Sequence, residues 1–326
     1  MVKNKTLVLY LSNTCNLQCK YCFVQKGNVV LSLNDYIKVI EMYKHDISNI
    51  TFFGGEPLLN KDLIKDIVSY NEKINLKYSY VINTNALLID DLDIEFCLKY
   101  EITLNISLDG NEESNLENRC NENEFNKIII NVRNVISKGI NVYINYVISP
   151  NNIKYFHESI CYLKKENITK VCLLINYDAL WNNKDIELFR NELLKCFDLI
   201  LEGIQNKDFF IYPIFNKLNA ILDGKEIKKC DFGRDTIVVS AAGKLYPCVS
   251  FVSNKDYEIK AKEDSFKNIV NIDKCKKCKY IDYCTNNCMC RYIYKNNNNS
   301  IDVNCEFEKI FIEYSYLLLK KFFDFR

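Results

Sequence analysis

Two periodicities alternate along the chain up to about residue 205. Short runs rich in β-branched and aromatic residues predict strands at Thr6–Ser12, Ile50–Phe53, Lys77–Ile82, Ile102–Ser107, Asn141–Ile148 and Lys170–Asn176. Stretches with apolar residues at helical spacing predict helices at Leu33–His45, Asp62–Lys73, Asp90–Tyr100, Glu124–Lys138, Lys154–Glu166 and Asp185–Gln205. Six strand-then-helix units with short connections predict an α/β fold, a parallel sheet with helices outside. Six units fall short of the eight of a closed barrel, so a partial (β/α)6 TIM-like barrel is expected. In such folds chemistry gathers at the C-terminal ends of the strands. After Cys230 the regular pattern stops. Short hairpin-like pieces and Cys-rich loops take over, followed by an apolar helix, Glu306–Phe323, expected to pack on the core.

Charge and composition narrow the function classes. Lys plus Arg is 43 and Asp plus Glu is 42, a balance that argues against nucleic-acid or membrane binding driven by bulk charge. Lys3 and Lys5 precede an apolar run, Thr6 to Leu11, shorter than a secretory signal core. No apolar window approaches the length of a transmembrane helix. A cytoplasmic location is therefore expected, where thiols stay reduced. The chain has 16 Cys, too sparse for a small disulfide scaffold, and clustered cysteines in that setting read as metal ligands or catalytic groups.

The cysteines are not evenly spread. Cys15, Cys19 and Cys22 sit together, and Cys230, Cys248, Cys275, Cys278, Cys284, Cys288, Cys290 and Cys305 form a second set. Cys97, Cys161, Cys172 and Cys196 lie in apolar contexts and read as small buried hydrophobes. Cys120, in a polar loop, has no assignment. His45 and His157 lie in helical stretches and read as bystanders.

The segment Cys15-Asn-Leu-Gln-Cys19-Lys-Tyr-Cys22 directly follows the first strand. A structural zinc site wants four ligands, usually in C-x2-C pairs. A [4Fe–4S] cluster bound by three thiolates keeps one iron open. Thr51-Phe-Phe-Gly54-Gly55-Glu56-Pro57 follows the second strand. Glycine permits close backbone approach to a ligand, and Glu56 is placed to accept from a cationic amine. Asn83-Thr84-Asn85 ends the third strand, Ser107-Leu-Asp109-Gly110 the fourth, and Arg119 lies shortly beyond. Asp178, after the sixth strand, reads as a loop carboxylate.

The first of these motifs, with Tyr21 as its aromatic, resembles the radical S-adenosylmethionine (SAM) enzymes, and Gly54-Gly55-Glu56-Pro57 is similar to that family's GGEP motif. The resemblance implies a [4Fe–4S] cluster on Cys15, Cys19 and Cys22, with SAM chelating the fourth iron. One-electron reduction, from a donor such as flavodoxin or ferredoxin, then yields a 5′-deoxyadenosyl radical that abstracts a hydrogen atom from substrate. It also implies SAM contacts from Tyr21, Gly54, Gly55, Glu56, Asn85, Ser107 and Arg119, the last two toward ribose and carboxylate.

The run Cys275-x2-Cys278-x5-Cys284-x3-Cys288 alone suits zinc or iron–sulfur equally. With Cys230, Gly243, Cys248 and Cys305 around it, the order resembles the SPASM extension, a small α+β domain with two auxiliary [4Fe–4S] clusters. That layout implies an outer cluster on Cys275, Cys278, Cys284 and Cys305, and an inner one on Cys230, Cys248 and Cys288. The fourth inner ligand is either Cys290 or an open iron. The expected domains are 1–205, the barrel, and 206–326, a linker with the SPASM domain and terminal helix.

Enzymes of this type act mostly on peptides or proteins. The expected reaction is a thioether or carbon–carbon crosslink, or an epimerisation, in a ribosomally made precursor peptide. The branch that makes formylglycine in sulfatases places an Asp base immediately after the Cys that here is Cys248, where this chain has Val249. Sulfatase or other protein maturation is thus the second reading. A zinc- or cluster-binding interaction protein is the reading outside enzymes. The first strand begins near Thr6, so no leader-binding module is expected before it. Either a separate leader-binding protein presents the peptide, or the barrel mouth, with Tyr177–Gln205, takes it directly.

Overall fold

Along the first strand, Leu7, Leu9 and Leu11 fall on one face and Val8 and Tyr10 on the other, and this alternation orients the sheet. The computed structural model describes residues 5–230, 233–260, 273–285 and 302–324. Cys288 and Cys290 lie outside the described residues. The strands are β1 (Lys5–Ser12), β2 (Ile47–Gly54), β3 (Ser79–Thr84), β4 (Thr103–Ser107), β5 (Val142–Ile148), β6 (Lys170–Ile175), β7 (Phe210–Tyr212), β8 (Thr236–Val239) and β9 (Leu245–Tyr246). They form one sheet in the order β7-β6-β5-β4-β3-β2-β1-β8-β9. Every pairing is parallel except β8 with β9. The expected α/β fold with a partial, TIM-like barrel is the one observed.

Helices cover the outer face: α1 (Leu33–Tyr43), α2 (Lys61–Lys73), α3 (Asp91–Lys99), α4 (Glu112–Asn118), α5 (Glu122–Ser137), α6 (Phe156–Lys165), α7 (Asn183–Lys195), α8 (Phe197–Asn206) and α9 (Ile214–Asp223). Their starts are chemically marked. Ser32 caps α1, and Asp90 with Asp93, Asn121 with Glu124 and Asn182 with Asp185 close reciprocal capping boxes on α3, α5 and α7. Strand residues facing these helices form the main core, among them Phe52, Ile82, Ile106, Ile144 and Leu173. On the opposite, inner face stand the half-buried Thr51, Phe53, Asn83, Asn105, Ser107, Asn145 and Cys172, with Leu174 exposed.

Several elements differ from expectation. The sheet runs on past residue 205, because β7 pairs with β6 from Lys170↔Phe210 to Cys172↔Tyr212. After Cys230 comes the expected hairpin, β8–β9, but β8 also lies parallel to β1, from Thr6↔Thr236 to Leu9↔Val239. The single helix expected over Asp185–Gln205 is two, broken at the fully buried Cys196. The break lets Phe189 and Leu193 of α7 and Ile200 and Leu201 of α8 share one core. The terminal helix (Val303–Asp324) packs on the barrel as expected. Its Phe307 lies edge-on to Trp181 with centroids 4.8 Å apart, and its Ser315 hydroxyl donates to the Ile214 carbonyl at 3.1 Å. Among the described residues no helix is long and apolar enough to cross a membrane.

Candidate active site at the C-terminal ends of the strands

β1 delivers the chain into the loop that carries Cys15, Cys19 and Cys22. Cys15 and Cys19 are half-buried and Cys22 is exposed. The amide of Cys22 donates to the Cys19 carbonyl at 3.1 Å, which tightens the last turn. Two of the sulfurs already accept hydrogen bonds, Cys15 Sγ from the Leu17 amide at 3.4 Å and Cys19 Sγ from Arg119 Nη1 at 3.9 Å. Burial pushes both thiols above the ordinary cysteine value, so a metal binding there displaces protons. Among the described residues no group of three Cys, His, Asp or Glu is spaced to hold a single metal ion. A four-iron cluster spreads its thiolates over separate irons, and the donor set here is three soft sulfurs, which suits it.

The loop after β2 locks onto this one. The Gly55 amide donates to the Ser12 carbonyl and the Glu56 amide to the Thr14 carbonyl, each at 2.8 Å. A Cβ on Gly55 would stand 2.0 Å from the Thr14 oxygen. Gly54 has φ +130°, and a Cβ there would stand 2.3 Å from the Ser12 oxygen. The close approach that needs glycine is thus to the backbone that leads into Cys15.

Glu56 is buried at 1% exposure. Its Oε1 accepts from Thr84 Oγ1 at 2.7 Å and the Leu58 amide at 3.0 Å, and its Oε2 from the Asn85 amide at 2.8 Å. Burial nevertheless raises its pKa above the ordinary glutamate value, with these donors opposing. Asn85 in turn donates from Nδ2 to Asn16 Oδ1 at 2.7 Å, inside the cysteine loop. Glu56 and Asn85 are therefore brought together from two strand ends. Thr84 and Asn16 complete the cluster. Thr84 carried a readable signal, a polar side chain at an inward-buried strand position, whereas Asn16 looked like any loop amide.

At the end of β4, Asp109 is fully buried. It accepts from the Tyr21 hydroxyl at 2.5 Å, the Val147 amide at 2.9 Å and Arg119 Nη2 at 3.4 Å. Arg119 also donates to the Tyr21 hydroxyl and lies over the Tyr21 ring, 5.4 Å from its centroid. Burial alone would lower the guanidinium's pKa, but Asp109, Tyr21 and Cys19 beside it outweigh that and hold it above the ordinary arginine value. Asp109 thus joins the site as a partner of Tyr21 and Arg119. Ser107 stands apart, half-buried on the inner face opposite Asn145. Three buried polar atoms around the cysteine loop have no hydrogen-bond partner: Arg119 Nε, Asn13 Oδ1 and Asn118 Nδ2. Such orphans fit a pocket completed by a polar ligand.

In the second cysteine set, Cys230, Cys248, Cys275, Cys278, Cys284 and Cys305 are all half-buried. The Cys278 amide donates to the Cys275 carbonyl at 3.1 Å, the turn expected of a C-x2-C pair. Cys284 follows a short 3-10 turn (Ile281–Tyr283), and Cys305 lies in the first turn of the terminal helix. Of the other cysteines, Cys97 and Cys196 are buried as expected. Cys161 and Cys172 are half-buried, Cys161 within 3.6 Å of His157 Nε2. Asp178 is exposed.

Residues 9–160 match the model of the Radical SAM superfamily. A cysteine-type anaerobic sulfatase-maturating enzyme of Clostridium novyi (strain NT) is 26% identical, over 94% of each chain. The radical SAM cyclopropyl synthase TigE of Paramaledivibacter caminithermalis is 25% identical, over 87% of this chain and 68% of its own. Among solved structures, native anSMEcpe with bound AdoMet and Cp18Cys peptide superposes with a TM-score of 0.78 at 22% identity, covering 98% of this chain and 99% of that one. At that identity the likeness speaks for fold. The superfamily match runs from within β1 through β5 and takes in the loops that bring Cys15, Cys19 and Cys22 against Gly54–Glu56, so this part of the chain is similar to the Radical SAM superfamily.

Proposed function

We propose that this protein is a radical SAM enzyme that modifies a peptide, with residues 1–205 as the SAM barrel and 206–326 as a SPASM-type domain holding two auxiliary clusters. The observation that carries the reading is the meeting of three strand ends. The Cys15–Cys22 loop, Gly54-Gly55-Glu56 and Asn85 are hydrogen-bonded into one unit, with a buried carboxylate at its centre. Cys15, Cys19 and Cys22 would hold three irons of a [4Fe–4S] cluster. When bound, that cluster and SAM supply a 5′-deoxyadenosyl radical.

The chain's own residues bind and orient. Glu56, buried and in no ion pair among the described residues, suits the ammonium of SAM's methionine end, and its Oε2 accepts from the Asn85 amide alone among them. Gly54, Gly55 and Asn85 would shape the backbone there, Tyr21 and Arg119 would border the ligand beside Cys19, and Ser107, apart from them on the inner face, would lie toward the ribose. The half-buried inner face, with Asn83, Asn105, Asn145 and the exposed Leu174, offers amides and apolar surface to a peptide. A crosslink removes two hydrogens and leaves one electron over. Cys275, Cys278, Cys284 and Cys305, with Cys230, Cys248 and Cys288, would hold the acceptors. An external donor of the flavodoxin or ferredoxin type would start each turnover, and a separate leader-binding protein is one route for presenting the peptide.

The second reading, sulfatase-type maturation, is favoured by the relative that matches 94% of each chain. Val249, an apolar residue after Cys248, has no group to take a proton. One experiment separates the readings. Anaerobically reconstituted protein is assayed for iron, for 5′-deoxyadenosine and, by mass spectrometry, for change in candidate peptides. About twelve irons and a peptide short of two hydrogens support crosslinking. Formylglycine in a Cys-bearing sulfatase peptide supports the second reading. Zinc at both cysteine sets with no SAM cleavage refutes both.

A further inference from the structure

Lys217 on α9 is a lysine with no exposure at all. Its Nζ donates to Glu308 Oε2 at 2.7 Å and to the Tyr283 carbonyl at 2.9 Å. Glu308, on the terminal helix, also accepts from the Thr285 amide at 2.8 Å and the Thr285 hydroxyl at 2.6 Å. The residue between Tyr283 and Thr285 is Cys284. Lys217 holds the peptide group before Cys284, and Glu308 holds the one after it. Cys305 lies three residues before Glu308, on the same face of the helix. One buried ion pair therefore fixes Cys284 relative to Cys305. A second carboxylate of the helix extends the strap: Glu313 accepts from the Tyr280 hydroxyl at 2.6 Å and from Arg190 at 2.8 Å.

A buried ion pair contributes little net stability against apolar residues of the same size, because desolvation offsets the attraction. Its placement across the two peptide groups that flank Cys284 points to what it holds in place. We propose that Lys217 and Glu308 are positioning residues for a metal cluster bound through Cys275, Cys278, Cys284 and Cys305, setting the distance between the last two thiolates before iron arrives. This rests on the reading of those four cysteines as ligands of an auxiliary [4Fe–4S] cluster. The pair touches no substrate and acts through the backbone on either side of Cys284.

The test uses the full chain with Cys15, Cys19 and Cys22 replaced by Ala, so that the remaining iron belongs to the second cysteine set. In that background Cys278→Ala defines the outer cluster as a loss of about four irons. No loss there would overturn the ligand reading and the inference with it. Given that loss, Lys217→Met should cause a similar one, or convert the cluster to a three-iron form seen by electron paramagnetic resonance. Glu308→Gln, which keeps the shape, carries the same test should Lys217→Met fail to fold. The decisive variant is Lys217→Met with Glu308→Leu. It leaves no unpaired charge, so thermal stability of the iron-free protein should recover, while iron content should stay low. Recovery of both iron and stability, or unchanged iron in the single variants, would show that the pair only fills space and refute the proposal.

Discussion

Gly55→Ala tests whether the SAM-site cysteines are held by contact between two loop backbones. The added Cβ would sit 2.0 Å from the Thr14 oxygen and 2.5 Å from its carbonyl carbon, backbone atoms with no rotamer to escape into. One of the loops must move by more than 1 Å to restore van der Waals contact, an estimate from ~3.5 Å as the ordinary optimum. That motion breaks the Glu56-to-Thr14 bond and strains the Gly55-to-Ser12 bond. Two hydrogen bonds at about 1 kcal/mol each, plus about 1–3 kcal/mol for overpacking, give a loss of about 3–5 kcal/mol. At about 2 °C per kcal/mol for a chain of this size, Tm should fall by roughly 6–10 °C. Because Thr14 precedes Cys15, the anaerobically reconstituted variant should also lose about four irons and its SAM cleavage. Gly27 provides the control. It lies just beyond the same cysteine loop with nothing within 4 Å of an added Cβ, so Gly27→Ala should retain iron and melting temperature. Wild-type iron content in Gly55→Ala would refute the reasoning, since the loop contact would then not be what places Cys15.

Other outcomes follow from the same geometry. Asp109→Asn keeps the shape but leaves Arg119 buried without its carboxylate, so urea unfolding should show a loss of about 3–5 kcal/mol; a change under 1 kcal/mol would mean the guanidinium finds another partner. Glu56 binds its proton more tightly folded than unfolded, so it should erode stability as pH rises from the ordinary glutamate value, about 4.3, toward its raised folded value. Glu56→Gln should flatten that slope in melting curves of SAM-free protein, and an unchanged slope would contradict a buried, ionisable Glu56. Cys22→Ala should abolish SAM cleavage, whereas Cys278→Ala should spare uncoupled cleavage and lose peptide product; equal loss of both would argue against an auxiliary role.

What could be read in advance depended on how far apart the interacting residues lie. The strands β1 to β6 were legible because each is a run of at least five residues rich in aliphatic, β-branched or aromatic side chains, and the helices because apolar residues recur at helical spacing. β7, at three residues, is too short for any periodicity, and α4, Glu-Glu-Ser-Asn-Leu-Glu-Asn, has almost no apolar face. After Cys230 only short hairpin-like pieces without bounds were expected, and no local signal says that Thr236–Val239 lies against β1, more than two hundred residues earlier. The site shows the same limit. Cysteine spacing and Gly54-Gly55-Glu56 are local patterns that carry their chemistry with them. The partner of Arg119 is not local in its logic: Asp109 sits ten residues away, but only the turn at Gly110, held by the Asn115 side chain of α4, aims it back at Tyr21. Arg119 was expected to face SAM, and most of its donors instead serve Asp109, Tyr21 and Cys19.

The placement of buried charge is the remaining clue to design. Among the ion pairs of the described residues, two have both side chains nearly excluded from water: Arg119–Asp109, at 6% and 0% exposure, and Lys217–Glu308, at 0% and 6%. The first touches Cys19 and Tyr21; the second brackets Cys284. Most of the remaining buried side chains are apolar, and other buried polar groups such as Glu56, Asn71 and Asn152 are held by hydrogen bonds. Since apolar residues of equal volume serve stability as well or better, stability does not explain why both pairs stand at cysteine sets. Directionality does, because a charged hydrogen bond fixes distance and angle where an apolar contact allows sliding. Exposed pairs such as Lys38–Asp35 contribute about 0–1 kcal/mol and fix nothing downstream. Removing Lys38 should therefore leave iron binding intact, whereas removing one partner of either buried pair should lower cluster occupancy before it unfolds the chain.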